Sequence, residues 1–241
     1  GEGASFLIEE KLVGDEISIM GFTDGKSTCL FAPAQDHKQL LDGDLGPNTG
    51  GMGAFTPVPW VTAKMQDDIQ AQIIVPTLTG MQQEGLDYRG FIYFGIMITK
   101  QGPYLLEYNV RLGDPETQVL LPTLKNDLLD LILGTLDGTL AQSEIHFHVG
   151  ATIGVVLASD GYPGEFHSGF PILGLDSLNR ETLLFHAGTR LRENHVVTNA
   201  GRVLTVVSSG SNLAEATEKV YAECSKISFF GAPTGTTTHS N

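Results

Sequence analysis

The chain has 241 residues, 41% of them hydrophobic, and a formal net charge of −14. That is enough apolar material for one large domain or two modest ones, and too much for a disordered chain. The acidity excludes a non-specific nucleic-acid binder, which needs a basic face, but leaves room for an anionic substrate gripped by a few local Arg and Lys side chains.

In chain order, Phe6–Glu10 and Glu16–Thr23 read as strands. So abrupt a start reads as a piece of something longer. Thr23-Asp24-Gly25-Lys26 is a hairpin turn, because Asp-Gly supports positive φ, and Ser27–Phe31 is the returning strand. The Gly- and Pro-rich stretch Ala32–Pro59 reads as one long loop, a length that is usually functional or disordered. Met65, Ile69, Ile73 and Leu78 give Thr62–Gln83 helical spacing, with Pro76 expected to kink or divide it. Gly90–Thr99 and Pro103–Asn109 read as strands joined by a hairpin at Lys100-Gln101-Gly102, and Glu116–Leu121 and Asp127–Leu133 as helices. After the connection Gly134–Ser143, a second block holds strands near Ala151–Ala158, Leu183–Ala187 and Arg202–Ser208. A last helix runs from about Leu213 to Ile227, capped by Asn212 or Ser211, with Ala216, Val220 and Cys224 on one face. The tail Ala232–Asn241 is polar and reads as disordered.

The densest chemistry lies in LLEYNVRLGDPETQ, Leu105–Gln118, directly after the apolar run Phe91–Ile98. Side chains at i and i+2 of a strand share a face, so Glu107 and Asn109 point together while Leu106 and Tyr108 turn into packing. A carboxylate beside an amide carbonyl is a hard oxygen set suited to magnesium and not to zinc. Arg111 then offers a planar guanidinium to a phosphate or an acyl phosphate. A solvated loop with surface ion pairs would account for this segment taken alone.

DGDLGPNTGGMG, Asp42–Gly53, is the second signal. Gly50, Gly51 and Gly53 let backbone approach a ligand, and successive N–H groups in such a loop can form an anion-binding nest. Asn48 and Thr49 add side-chain bonds, and Asp36 and Lys38 stand just upstream. The loop matches neither GxxxxGK[ST] nor GxGxxG, and a plain surface turn remains an alternative. FLIEEKLVGDEISI, Phe6–Ile19, is the third. Glu9 and Glu10 end a strand, Leu12 follows as an apolar cover, and Glu16 can accept from ribose hydroxyls. An ordinary charged hairpin is the alternative.

Other chemistries find little support. No GxSxG elbow is present, and the seven histidines lack zinc spacing; His146 and His148 read as ordinary residues on one strand face. Cys29 and Cys224 show no metal or redox spacing, and so few cysteines fit a reducing compartment such as the cytosol. No apolar run is long enough to span a membrane, and Gly1–Ser5 is not a signal peptide, so no membrane partner is expected.

The three segments IEEKLVGDEISI, QDHKQLLDGDLGPNTGGMGAFTPVP and LLEYNVRLGDPETQVLLP, in this order, resemble the phosphoribosylamine–glycine ligases, ATP-grasp enzymes of purine synthesis. LASDGYPGEF, FHAGT and GRVLTV resemble the C-terminal domain of the same family, so the likeness covers about residues 5–231. Its middle region is worded more like the multifunctional eukaryotic members, which implies fusion to other purine-synthesis domains. The resemblance implies an α/β (α+β) fold: the C-terminal part of an ATP-grasp domain over 1–140, a small β-rich domain over 148–231, and a tail over 232–241.

It further implies ligation of glycine to 5-phosphoribosylamine through glycyl phosphate, yielding glycinamide ribonucleotide, ADP and phosphate. Carried onto this sequence, Glu107 and Asn109 hold Mg2+ (or Mn2+). Arg111 stabilises the transferred phosphoryl group, and Asp114 and Glu116 orient the amine or glycine's ammonium. Glu9, Glu10, Leu12 and Glu16 contact ATP, and Asp36, Lys38, Asn48, Thr49, Gly50 and Gly51 contact substrate. The loop Gly46–Gly53 covers the acyl phosphate against water.

There are departures. The family's GxGGREHA-like stretch and its Lys-bearing GKG segment do not occur here, APTGTTTHSN follows Gly231 where the family has a YRxDIG-like strand, and Ala200 stands where a glycine is usual. Two alternatives follow: a non-catalytic remnant that keeps part of the site, and an ATP-grasp ligase with another carboxylate and amine.

Overall fold

The structure, a computed structural model, describes residues 7–41, 43 and 45–230. Strand β1 (Asp15–Thr23) turns back where Asp24 Oδ1 accepts the N–H groups of Lys26 and Ser27 at 3.0 and 2.7 Å, and β2 (Thr28–Leu30) returns. The expected loop Ala32–Pro59 instead contains four short strands: β3 (Gln35–Asp36), β4 (Gln39–Leu41), β5 (Leu45–Asn48) and β6 (Gly53–Thr56). Strands of two to four residues leave no periodicity to read, and long-range pairing decides them.

Helix α1 (Ala63–Ile69) starts at Thr62, whose hydroxyl accepts from Met65 N. It runs through a π turn, Gln70–Ile74, into α2 (Val75–Gln83). Pro76 therefore does not divide the helix. The π turn puts it in the first turn of the next segment, and the chain stays helical across it. Strands β7 (Gly90–Thr99) and β8 (Gly102–Asn109) form the expected hairpin. Helices α3 (Glu116–Leu120) and α4 (Leu128–Asp137) follow, the second capped by Asp127. The second block contains β9 (Ala151–Ala158), β10 (Leu183–His186), β11 (Thr189–Arg192), β12 (His195–Thr198) and β13 (Arg202–Gly210). It closes with α5 (Leu213–Cys224), capped by Asn212, with Ala216 and Val220 buried.

Two larger antiparallel sheets organise the molecule. One has the order β2-β1-β7-β8, the other β10-β13-β9-β6-β3. The second takes β3 and β6 from the first block and β9, β13 and β10 from the second, so main-chain hydrogen bonds tie the two blocks together. On the first sheet, Ile17, Ile19, Ile92, Phe94 and Ile96 pack against Ile69, Ile73 and Ile74 of the α1–α2 helix. Met20, Phe22 and Tyr93, on the opposite face, pack with Val119, Leu120 and Leu131. Ile153, Leu204, Val206, Ala216 and Val220 form a third cluster under α5.

Some expectations fail. Leu7–Val13 has no regular structure, so the expected strand over Phe6–Glu10 is absent from its described part; Leu7 and Ile8 are almost fully exposed. Among the described residues, no strand pairs with them to satisfy their backbone groups. His146 and His148 flank an isolated bridge at Phe147 and lie in no strand. Phe6 and the tail Ala232–Asn241 fall outside the described residues. Among the described residues, no helix is long and apolar enough to cross a membrane.

Candidate functional site

Register fixes which side chains meet. Ser18 pairs with Gly95, which pairs with Glu107; Met20 pairs with Tyr93, which pairs with Asn109. Directly opposed residues share a face, so Glu16, Ser18, Glu107 and Asn109 lie on one side of the sheet. Asn109 Nδ2 donates to Glu107 Oε1 at 3.1 Å. A Cβ on Gly95 would stand 3.1 Å from Glu107 Cγ, so the glycine makes room for that side chain.

The expectation that Leu106 and Tyr108 pack inward is corrected. The register shifts between Gly95 and Ile96, so β8 carries an extra residue there. Such a bulge turns a side chain outward and re-aims its neighbours. Leu106 is exposed, and Tyr108 is half-exposed, edge-on to Phe94 with its hydroxyl 2.8 Å from Thr77 Oγ1.

Behind the strand end sits a buried polar knot. Glu116, only 4% exposed, accepts from Ser18 Oγ at 2.9 Å and from Tyr93 OH at 3.1 Å. Burial and the Glu116 charge raise the Tyr93 pKa. Gly113 leaves the space Glu116 needs, since a Cβ there would fall 2.5 Å from its Oε2. Lys38 forms an ion pair with Glu16. Burial works against its charge, but the bond to Glu16 and the fields of Glu16, Asp36 and Glu107 outweigh that and raise its pKa. Asp36 is pushed up to about 8, first by burial, then by Glu116 and Glu16, against the opposing pull of Lys38 and Arg202. Its Oδ1 is buried with no hydrogen-bond partner. A carboxylate without a donor in a low-dielectric place holds its proton more tightly.

The glycine loop is tied down on every side. Thr49 N donates to Lys38 O at 2.8 Å, Gly50 N to Tyr162 OH at 2.9 Å, Gly51 N to Thr49 Oγ1 at 3.0 Å and Met52 N to His37 O at 2.8 Å. The expected anion nest is therefore not available in this conformation, because its N–H groups are already bonded. Gly51 has φ +110°, and a Cβ there would lie 2.5 Å from Pro115 Cδ and 2.7 Å from Asp36 Oδ1. From the second block, Arg202 Nη1 reaches Gly50 O at 2.7 Å, Asp114 O at 3.0 Å and, more distantly, Gly51 O and Asp114 Oδ1.

The structure thus brings together Glu16, Asp36, Lys38, Thr49, Gly50, Gly51, Glu107, Asn109, Asp114 and Glu116. Asn48 lies at the exposed rim, bonded to Gln39 at 2.7 Å. Arg111 is exposed, with Nη1 on Leu112 O at 3.1 Å. Glu9, Glu10 and Leu12 lie in the irregular segment before β1. Sequence reasoning missed Ser18, Tyr93, Tyr162 and Arg202. Ser18 stands two residues from Glu16, and Tyr93 is the hydroxyl within an apolar run, so both carried a signal. An apolar groove of about 810 Å³ lies elsewhere, lined among others by Ile73, Pro76, Met81, Leu105 and Tyr108, and contains none of the site's acids.

Glu107 and Asn109 suit a hard divalent cation. One carboxylate and one amide oxygen leave most of such a cation's shell to water and ligand oxygens. Among the described residues, no three His, Cys, Asp or Glu side chains gather as a closed protein cage.

Comparison with known proteins gives a consistent picture. Residues 1–117 match the model of the phosphoribosylglycinamide synthetase ATP-grasp (A) domain, and residues 152–234 match that of its C domain. A phosphoribosylamine–glycine ligase from Halalkalibacterium halodurans is 46% identical over 227 residues, covering 94% of this chain and 53% of that protein. The human trifunctional purine biosynthetic protein adenosine-3 is 47% identical over 232 residues, 95% of this chain and 23% of that one. The crystal structure of phosphoribosylamine–glycine ligase from Thermotoga maritima superposes with a TM-score of 0.79 at 38% identity, covering 93% of this chain and 55% of that one. The biotin carboxylase subunit of pyruvate carboxylase, at 13% identity and a TM-score of 0.61, shares the fold over 90% of this chain and 46% of that one. The chain spans about half the length of the stand-alone ligases it matches.

Proposed function

The chain belongs to the phosphoribosylamine–glycine ligase family, and from that premise we propose that it forms the metal and substrate side of a site that ligates glycine to 5-phosphoribosylamine. The observation that carries this reading is the shared sheet face of Glu107 and Asn109, within the field of the Lys38–Glu16 pair. We assign residues 1–140 to the ATP-grasp part and 148–231 to the C-terminal part, in a cytosolic protein that acts on small molecules. Its fusion to further purine-synthesis domains is part of the same proposal.

The reaction has two displacements. A glycine carboxylate oxygen bonds to the γ-phosphorus of ATP as the bond to the β-phosphate oxygen breaks, releasing ADP. The amine nitrogen of 5-phosphoribosylamine then bonds to the glycyl carbonyl carbon, the carbon–oxygen bond to phosphate breaks, and a proton leaves the nitrogen. Mg2+ or Mn2+ held by Glu107 and Asn109 would supply charge neutralisation on the phosphates. The residues of the chain do the rest. Lys38 and Arg111 present cations to the transferred phosphoryl group. The departing phosphate takes up the amine proton, and Asp36, beside Lys38 and against Gly51, contacts the substrate. Glu116 is spoken for by Ser18 and Tyr93 and acts as a fixed negative charge behind the amine, with Asp114 beside it. Thr49, Gly50 and Gly51 wall the acyl phosphate from water, with Asn48 at the rim. Glu9, Glu10 and Leu12 serve the nucleotide, and Glu16 steadies Lys38.

The test is product formation from ATP, glycine and phosphoribosylamine in the purified protein, alongside Mn2+ binding followed by electron paramagnetic resonance. Glu107→Ala should abolish turnover and weaken Mn2+ binding tenfold or more, roughly 1.4 kcal/mol. Asn109→Ala should raise the Mg2+ requirement. Full turnover by Glu107→Ala at low Mg2+ would overturn the assignment.

A further inference from the structure

We propose that Arg202 is a positioning residue through which the second block of the chain sets the glycine loop against the site. This rests on the reaction proposed above, and it adds a residue that neither the loop nor the metal strand contains. Arg202 opens β13, 152 positions from Gly50. One guanidinium nitrogen gathers the carbonyl oxygens of Gly50 and Asp114, at 2.7 and 3.0 Å, so two separate loops share a single cation. The Asp114 carboxylate lies 3.5 Å away and supplies the countercharge.

Tyr162 completes the clamp. Its hydroxyl accepts from Gly50 N at 2.9 Å. Gly50 is thus held at its N–H by Tyr162 and at its carbonyl by Arg202. Tyr162 and Arg202 are themselves one unit, because the Tyr162 ring lies over Gly201; a Cβ at 201 would fall 2.2 Å from the ring. A Cβ at Gly50 would stand 3.1–3.2 Å from the guanidinium. The GPNTGG run is therefore small where the second block lies on it. The Arg202 side chain is 23% exposed, so most of its length is packed and its guanidinium is held where it meets both carbonyls.

The loop is the wall between acyl phosphate and solvent, so loosening it should waste ATP. In Arg202→Met, amides of Thr49–Met52 should exchange with deuterium at least tenfold faster, and product formed per ATP hydrolysed should fall at least threefold. Mn2+ binding at Glu107 should stay within twofold. Arg202→Lys, which keeps the charge and reaches fewer carbonyls, should recover part of the coupling. Gly50→Ala, which pushes the guanidinium aside without deleting it, should reproduce the Met variant, and the double variant should be no worse than either alone.

Unchanged exchange and unchanged coupling in Arg202→Met would overturn the clamp. So would a parallel loss of Mn2+ binding and of cooperative melting, which would mean a merely structural residue. If the wild-type protein makes no glycinamide ribonucleotide but Thr49–Met52 still loosens in the variant, the clamp stands and the reaction reading fails.

Discussion

The two faces of the β2-β1-β7-β8 sheet are built from the same strands and do opposite work. On one face, Ile17, Ile19, Ile92, Phe94 and Ile96 are closed under the α1–α2 helix. On the other, the same strands offer Glu16, Ser18, Glu107 and Asn109, while Met20, Phe22 and Tyr93 pack against Val119, Leu120 and Leu131. The alternation of a strand confines the site's polar groups to one face, a single residue step from a face that is apolar under the helix. It also predicts that substitutions on adjacent positions differ sharply in what they cost.

The largest effect is expected on the apolar face. Phe94→Ala removes a fully buried ring and should cost about 3–5 kcal/mol, read as a lower denaturant midpoint. Its neighbour Tyr93, on the polar face, should cost less. Tyr93→Phe keeps the ring and deletes the hydroxyl that Glu116 and Ser18 share, a loss of about 1–3 kcal/mol because it leaves part of a buried carboxylate unpaired. If Tyr93→Phe proves as costly as Phe94→Ala, the division between the faces fails.

A third test sharpens the contrast through pH. Asp36 holds its proton up to about 8 in the folded chain and loses it near 4 when unfolded. Between those values the folded state binds more protons, so stability should decline as pH rises from about 4 to 8. Asp36→Asn should flatten that decline in ligand-free protein, measured as melting temperature against pH. An equal slope in the variant would assign the effect elsewhere. Smallest in stability should be Glu107→Ala. Its exposed side chain should change the denaturant midpoint by no more than about 0.5 kcal/mol, although the same substitution should remove turnover.

Much of this was legible in the chain. The pairing of Glu107 with Asn109 followed from strand period, and the β1–β2 hairpin from Asp24-Gly25. The stretch Ala32–Pro59 was legible as a loop and not as four strands, because β3 and β6 exist only through partners elsewhere: β6 pairs with β9, about a hundred residues away. The bulge at Leu106 is likewise invisible locally, since it is a property of two strands. Arg202 could not be placed because nothing near it in sequence reveals which loop its guanidinium reaches. The strand expectation over Phe6–Glu10 misled for the opposite reason. Its described part has a strand-like pattern but no strand to pair with among the described residues.

The position of β6 between β3 and β9 has a consequence for synthesis. A ribosome releases Gly50 and Gly51 long before it releases Ala151–Ala158 or Arg202. Until those residues emerge, β6 lacks its pairing with β9 and the loop lacks its clamp. Such non-local closure is slow to form, because the entropy of bringing distant segments together precedes any reward. The loop should therefore be among the last parts of the nascent chain to gain protease resistance. Arrested chains ending before residue 151 should be cut within Asp42–Gly53, and chains that expose residues through 210 should not.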